Sequence, residues 1–319
     1  MSESLLLKPY QPELKADWDA VVGSSINGTF IHTRDFIAYH GNRFKECSLI
    51  FYWLGKPVAV FPAEYSDGHV FSHRGLTHAG WIVCKDLEEG QLEQILNTTF
   101  QYFERLGFQS LEVRSVPDFF CLGSNSALKT SIQKFKPEIV SKPIFHATPL
   151  PFEISDRGRK WGRKKAVCQG LRVAETDDFE GFWNNVLEPH LWEKFQNKPV
   201  HQLKEIRYLK SCFQEEIKLF AVYRETEMLA GTVLFLQNKV VHCQYIASTA
   251  KGRESRALDL LFDELLDKFN VDKSYLSLGT SLDARTGKPI PSLVKWKESL
   301  GGQGVEGLVL RWEGGEGRF

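Results

Sequence analysis

The segments IKLFAVY (217–223), MLAGTVLFL (228–236) and KVVHCQYIA (239–247) decide the fold. Each is a short run rich in β-branched and aromatic residues, and Gln237-Asn238 supplies a turn between the last two. Together they predict a three-stranded antiparallel meander. The loop that follows leads into residues 254–269, where Ala257, Leu258, Leu261, Leu265, Leu266 and Phe269 recur at helical spacing. SYLSLG (274–279) then reads as a further strand. A meander that gives way to a strand-loop-helix-strand unit implies a mixed sheet covered by helices. The predicted class is α/β with α+β character, its sheets mixed and largely antiparallel.

Working outward, the first half repeats this order. TRDFIAYH (33–40) reads as a short helix with Thr33 at its N-cap. SLIFYWL (48–54) and PVAVFPAEY (57–65) form a hairpin about Gly55-Lys56, and Asp67-Gly68 turns the chain into strand 69–73. Residues 88–106 place Leu92, Ile95, Leu96, Phe100 and Phe103 on one helical face, closed by Gly107, and 109–115 alternates as a strand. Letters differ between the halves, but the order is shared, which points to duplication. The stretch 117–150 is less regular and holds Pro117, Pro137, Pro143 and Pro149. The boundary is therefore expected near 150, giving domains 1–150 and 151–319.

Composition narrows the function. A chain of 319 residues fits about two domains. Lys+Arg and Asp+Glu balance at 40 each, so no global field draws the protein to nucleic acid or an anionic membrane. The six cysteines are scattered without a C-x-x-C pair, which argues against a zinc ribbon or redox dithiol; no metal site is expected. The N-terminal MSESLLLKPYQPELKADW lacks a charged n-region before its apolar run, and no segment reaches the length of a membrane span. The expected location is the cytoplasm. No G-x-S-x-G, P-loop or dinucleotide glycine fingerprint occurs.

Specific words add a resemblance. GTFIHTRDFIAYH (28–40), GKPVAVFPAE (55–64), SHRGLTHAGW (72–81), GRKKAVCQGLRVAE (162–175) and LGTSLDARTGKPIPSLVKWKESLGG (278–302) resemble, in order, segments of Fem-type proteins. These are tandem folds of the GNAT N-acyltransferase superfamily. The resemblance covers nearly the whole chain and implies two tandem GNAT-like domains. It also implies transfer of an acyl group, most simply acetyl, from acetyl-CoA or another acyl-CoA to an amine. The small-molecule acceptor implied is an amino sugar of surface-polysaccharide synthesis, carried on a nucleotide or a lipid. Some Fem-type proteins instead take amino acids from aminoacyl-tRNA to build peptidoglycan bridges. The inserted coiled-coil arm that some of those members carry is not visible in this sequence. A non-catalytic GNAT-like ligand-binding protein is the third reading.

The candidate site residues follow from that resemblance and from local chemistry. GNAT proteins hold the coenzyme A pyrophosphate at a helix N-terminus, where free N–H groups and the helix dipole favour an anion. The matching place is TAKGRESRALDLLF (249–262), with Lys251, Gly252, Arg253, Ser255 and Arg256 as cofactor-binding candidates. Arg256 stands where the usual pattern has a second glycine, and a capped surface helix is the plainer alternative. In SHRGLTHAGW, His73 is a candidate base, with Arg74, Gly75 and His78 as substrate contacts; a tight structural loop reads equally well. His201 and Glu205 lie four apart, one helical turn, and make His201 a substrate-binding candidate or a solvent-facing pair. On 239–247, period-2 alternation puts His242 and Gln244 on one face and Tyr245 on the other. Gln244 is a substrate candidate, Tyr245 a proton donor to the leaving group or a core residue, and Asp283 a group near the same cleft. The basic run from Arg157 to Arg172 contains no acid and is a local patch for a phosphorylated donor, for tRNA, or simply a solvated helix face. Loops 72–81 and 249–257 and the helix after 200 are expected to converge in a cleft between the halves.

Overall fold

The computed structural model describes residues 4–283 and 286–314. The chain forms two compact units, Met1–Pro143 with Glu306–Phe319, and Ile144–Val305. The division therefore differs from the expected single cut at 150, and the reason is strand pairing. Residues just before 150 belong to a strand of the second unit, and the last strand among the described residues returns to the first.

The first unit contains β1 (Leu5–Pro9), α1 (Lys15–Ser24), α2 (Arg34–Ala38), β2 (Lys45–Glu46), β3 (Leu49–Trp53), β4 (Lys56–Phe61), β5 (Glu64–Ser66), β6 (His69–Phe71), β7 (Ile82–Val83), α3 (Glu89–Arg105), β8 (Ser110–Arg114), α4 (Ser126–Lys134) and β9 (Glu138–Ser141). One sheet runs β1-β3-β4-β7. Leu54 and Gly55, both at positive φ, make the tight β3–β4 turn one residue earlier than expected. Thr33 stands at the N-cap of α2, but its hydroxyl donates to the carbonyl of Phe30 (2.7 Å) rather than capping the helix. In α3, Glu88 and Gln91 form a reciprocal cap, and Leu92, Ile95, Leu96, Phe100 and Phe103 are buried with Phe51, Phe61 and Trp81.

The second unit begins with β10 (Ile144–Pro149), α5 (Arg157–Cys168), β11 (Leu171–Thr176), α6 (Phe179–Phe182), a π-helical turn at Trp183–Leu187, α7 (Glu188–Phe195) and α8 (Leu203–Cys212). The predicted meander follows as β12 (Ile217–Arg224), β13 (Glu227–Leu236) and β14 (Val240–Ser248). The helix expected over 254–269 is two helices, α9 (Ala250–Glu254) and α10 (Ala257–Phe269), because Arg256 adopts a left-handed conformation (φ 63°). β15 (Tyr275–Thr280), α11 (Pro291–Glu298) and β16 (Gln303–Glu306) complete it. The sheet order is β11-β12-β13-β14-β15-β10-β16; β11–β12, β12–β13, β13–β14 and β15–β10 pair antiparallel, and β14–β15 pairs parallel. Leu261, Phe262, Leu265, Leu266 and Phe269 of α10 form the core with Val222, Val241 and Leu276 from the sheet.

The final strand β17 (Val309–Glu313) lies between β8 and β9 in the other sheet of the first unit, β2-β5-β6-β8-β17-β9. Its Trp312 is buried against Phe100 and Trp81, and the indole N–H donates to the Phe135 carbonyl (2.9 Å). Trp312→Ala is expected to destabilise the first unit by about 3–5 kcal/mol, the range for deleting a large core ring. Chemical denaturation reads this; a loss below about 1 kcal/mol would mean that the last strand is dispensable.

Candidate functional site

In the second unit, β14 pairs with β15 only over Val240–His242, in register with Tyr275–Ser277. Beyond that point β14 continues against β13, while β15 is taken up by β10 through Thr280. The two parallel neighbours thus part company midway. A bulge sits at the same place: Val233 faces Tyr245 and Leu234 faces Cys243, so Gln244 is the extra residue. Bulges of this kind re-aim side chains beside functional sites. Here the bulge changes the expected alternation. Val241, Cys243 and Ile246 face the α10 core, while Tyr245 packs edge-on against Trp183 (5.2 Å between ring centroids).

A buried polar cluster occupies the point of divergence. His242 Nδ1 lies 3.0 Å from Ser277 Oγ on the paired residue of β15. Gly279, at φ +68°, faces the same ring; a Cβ there would sit 3.7 Å from His242 Cε1. Lys297 of α11 donates from Nζ to the carbonyls of Gly279 (3.1 Å) and Thr280 (2.5 Å), and only 2% of it is exposed. An ammonium has three donors, so one remains beyond these two carbonyls. Burial lowers the Lys297 pKa to about 8. Burial, then the Lys297 charge, lowers His242 to about 4, with Gln244 opposing. Nearby His146, 3.4 Å from Ser281 Oγ, is lowered by the same two causes, and burial raises the Cys243 thiol to about 12. At neutral pH the cluster therefore holds one charged donor, Lys297, among neutral histidines and a thiol.

A second group lies three residues along β14. The Tyr245 hydroxyl accepts from the His201 backbone N–H (3.0 Å) and is 2.6 Å from His201 Nδ1. Trp183, in the π-helical turn, donates to the His201 carbonyl (3.3 Å). Glu205 turns back to cap α8 by accepting from the Gln202 N–H (2.8 Å), so the expected His201–Glu205 spacing serves the helix start. Asp283 accepts from the Thr286 N–H (2.9 Å) and shapes the turn after β15.

The loop before α10 is crowded with internal pairs. Lys251 meets Glu227 (2.8 Å), Arg253 meets both oxygens of Glu193 (3.0 Å), and Ser255 Oγ donates to the Lys251 carbonyl and accepts from Arg224. Arg256 Nε meets Asp259 in the first turn of α10 (2.6 Å). Asp259, 3% exposed, also takes Arg159 from α5 (2.5 Å). A Cβ on Gly252 would lie 2.2 Å from the Leu229 carbonyl, and one on Gly162 of α5 2.0 Å from Asp259 Oδ2.

The remaining candidates lie in the first unit. His73 is buried at φ 61°, 4.9 Å from the His40 ring, and burial lowers its pKa to about 3, with His40 and Arg34 adding to the shift. Arg74 pairs with the buried Glu64 carboxylate and stacks on Phe71. The Gly75 carbonyl is 3.1 Å from His40 Nε2, and the His78 ring packs on Phe120.

No protein-family model matches the chain, and no curated protein matches it by sequence. Among solved structures, FemX superposes with a TM-score of 0.69 at 11% identity, covering 95% of this chain and 96% of FemX. L-PGS from Bacillus licheniformis gives 0.63 at 9% identity, over 95% of this chain and 92% of its own. A tandem GNAT protein from the clavulanic acid biosynthesis pathway gives 0.52 at 10% identity, over 98% and 99%. The fold is GNAT-like and of the Fem type. Within this Fem-type fold the sequence candidates fall into separate groups. Tyr245 and His201 are brought together, Lys251 to Arg256 cluster before α10, and His73 to His78 belong to the other unit. Lys297 was missed by sequence reasoning. Its signal was a lysine in the otherwise amphipathic SLVKWKESL, inside the C-terminal resemblance.

Burial of Lys297 has a thermodynamic consequence with a definite sign. Its folded pKa of about 8 lies below the ordinary 10.5, so between those values the unfolded chain holds more protons. Raising the pH across this window therefore stabilises the fold. Relative to Lys297→Met, wild-type stability is expected to rise by up to about 3 kcal/mol across it. Urea titrations of both proteins at either end of the window check this, and a constant difference would contradict it.

Proposed function

We propose that this protein is an acyltransferase whose reaction centre lies where β14 and β15 of the second unit diverge. The observation that carries this reading is Lys297: a buried ammonium held by two carbonyls, with a remaining donor, at a break in the sheet. Acyl transfer to an amine builds negative charge on the carbonyl oxygen as the tetrahedral intermediate forms. A fixed cationic donor in a water-poor setting stabilises that charge more than it stabilises the starting carbonyl. Neutral His242 beside it adds no competing positive charge. Tyr245, along the same strand, is the candidate that delivers a proton to the leaving group.

The donor has two readings. The first is the acyl-CoA expected from the sequence, passing its acyl group to an amine such as an amino sugar. Its pyrophosphate would need the amides before α10 and the cations from Lys251 to Arg256. Those cations are already paired, and the Asp259 carboxylate lies in the first turn of α10, where an incoming anion would be repelled. The residues present do not fit a pyrophosphate there. This favours the second reading, an aminoacyl ester donor that does not use that helix end. FemX and L-PGS share the fold.

The test is turnover of purified protein with acetyl-CoA or longer acyl-CoAs and amino-sugar acceptors, set against charged tRNA with the same acceptors, read by mass spectrometry. Product from acyl-CoA alone supports the first donor, and product from charged tRNA alone the second. Lys297→Met is expected to lower kcat about 10²–10³-fold, the usual loss for an oxyanion donor. Because the protonated lysine is the active form, the wild-type rate is also expected to fall as pH rises through about 8. An unchanged rate in Lys297→Met would remove this residue from the mechanism, and no product from any donor would overturn the enzymatic reading.

A further inference from the structure

α5 carries six basic side chains and no acid, RGRKWGRKKAVC, and the fold divides them between two faces. Gly162 and Ala166 are buried, and on that side Arg159 and Arg163 reach Asp259 and Asp263 of α10. Those two cations are neutralised inside the unit. The opposite face carries Arg157, Lys160, Trp161, Lys164 and Cys168, at the i, i+3, i+4, i+7 spacing of one helical stripe. All five are exposed, and no ion pair engages Arg157, Lys160 or Lys164 among the described residues. Trp161 is 59% exposed, with Lys165 Nζ 5.4 Å from its ring centroid, and Val167 beside the stripe is 54% exposed.

We propose that this outer face of α5 docks the protein on an anionic lipid bilayer. The proposal does not depend on the acyltransfer reading. A solvated helix face is ordinarily charged and lacks an indole, because an exposed Trp leaves a large apolar area in water. An indole flanked by unpaired cations has a specific use at a bilayer surface. The cations meet lipid phosphates while the amphipathic ring enters the headgroup layer. Charge complementarity is local, since the whole chain balances at 40 acids and 40 bases. Nucleic acid, tRNA included, is the other polyanion to weigh. Helical RNA is gripped through its phosphates by cations, which leaves the exposed indole without a use, and single strands are held by several stacked rings where this stripe has one. The contact is peripheral, as no helix among the described residues is long and apolar enough to cross a membrane.

Vesicle co-sedimentation of the full chain tests the proposal, with phosphatidylcholine vesicles compared to mixed phosphatidylcholine–phosphatidylglycerol vesicles. Binding is expected only to the anionic vesicles and is expected to be reversed by high salt. Lys160→Ala/Lys164→Ala should lower partitioning roughly twenty-fivefold, at about fivefold per cation. Trp161→Ala should also weaken binding. A thermal melt confirms that each variant is folded, which the exposure of all three positions favours. Equal binding to neutral vesicles, no binding to either, or variants that bind as wild type would each overturn the proposal. So would retention of a short RNA hairpin through the same residues without vesicle binding, which would assign the stripe to nucleic acid.

Discussion

Arg159 and Asp259 form the contact on which the second unit depends. The carboxylate is 3% exposed and lies at the start of α10, while the guanidinium comes from α5. The same guanidinium donates to Ser299 Oγ (3.0 and 2.8 Å) and to the Trp296 carbonyl (3.3 Å), which fixes the end of α11. One cation thus ties three helices together. Such a pair adds little as a net contribution, but removing Asp259 would strand the largely buried Arg159 guanidinium, at a cost of about 3–5 kcal/mol. The tie also has a chemical consequence. It holds the helix that carries Lys297, and it places a negative group at the α10 N-terminus, where the helix dipole would otherwise attract an external anion.

Burial does the rest of the electrostatic work. Around Lys297 the protein offers carbonyl oxygens and neutral side chains rather than a carboxylate. Desolvation then lowers the lysine pKa without removing its charge at neutral pH, and the lysine in turn helps keep His242 and His146 neutral. The opposite arrangement appears before α10, where each cation has met an acid and lost its freedom to bind. Lys297 and the cations of the predicted loop therefore have different capacities, and the difference is their partners rather than their type.

Much of the fold was legible in the sequence. The β12–β14 meander, α3, the β15 strand and the repeated element order follow from periodicity and turn residues, which are local. Boundaries set by distant pairing were not. The cut at 150 failed to anticipate that β10 joins β15 and that β17 returns to β8. The single helix over 254–269 missed the break at Arg256, since a non-glycine residue in the left-handed region has no sequence signature. The bulge at Gln244 likewise shifted Tyr245 to the side opposite the α10 core, against simple alternation.

What the sequence by itself determined is the class of the protein: mixed sheets covered by helices, in a Fem-type order. Apolar spacing enforces this wherever a side chain is buried by its own helix or strand. What only the tertiary structure decided is which polar residues are left to act. Lys251, Arg253 and Arg256 read in sequence as cations available to a phosphate, and Lys297 carried no reading of its own. Their roles depend on partners brought from elsewhere in the chain, Glu227 and Glu193 in one case and two β15 carbonyls in the other. Electrostatic partners are chosen by proximity in space, and spacing along the chain does not encode that proximity.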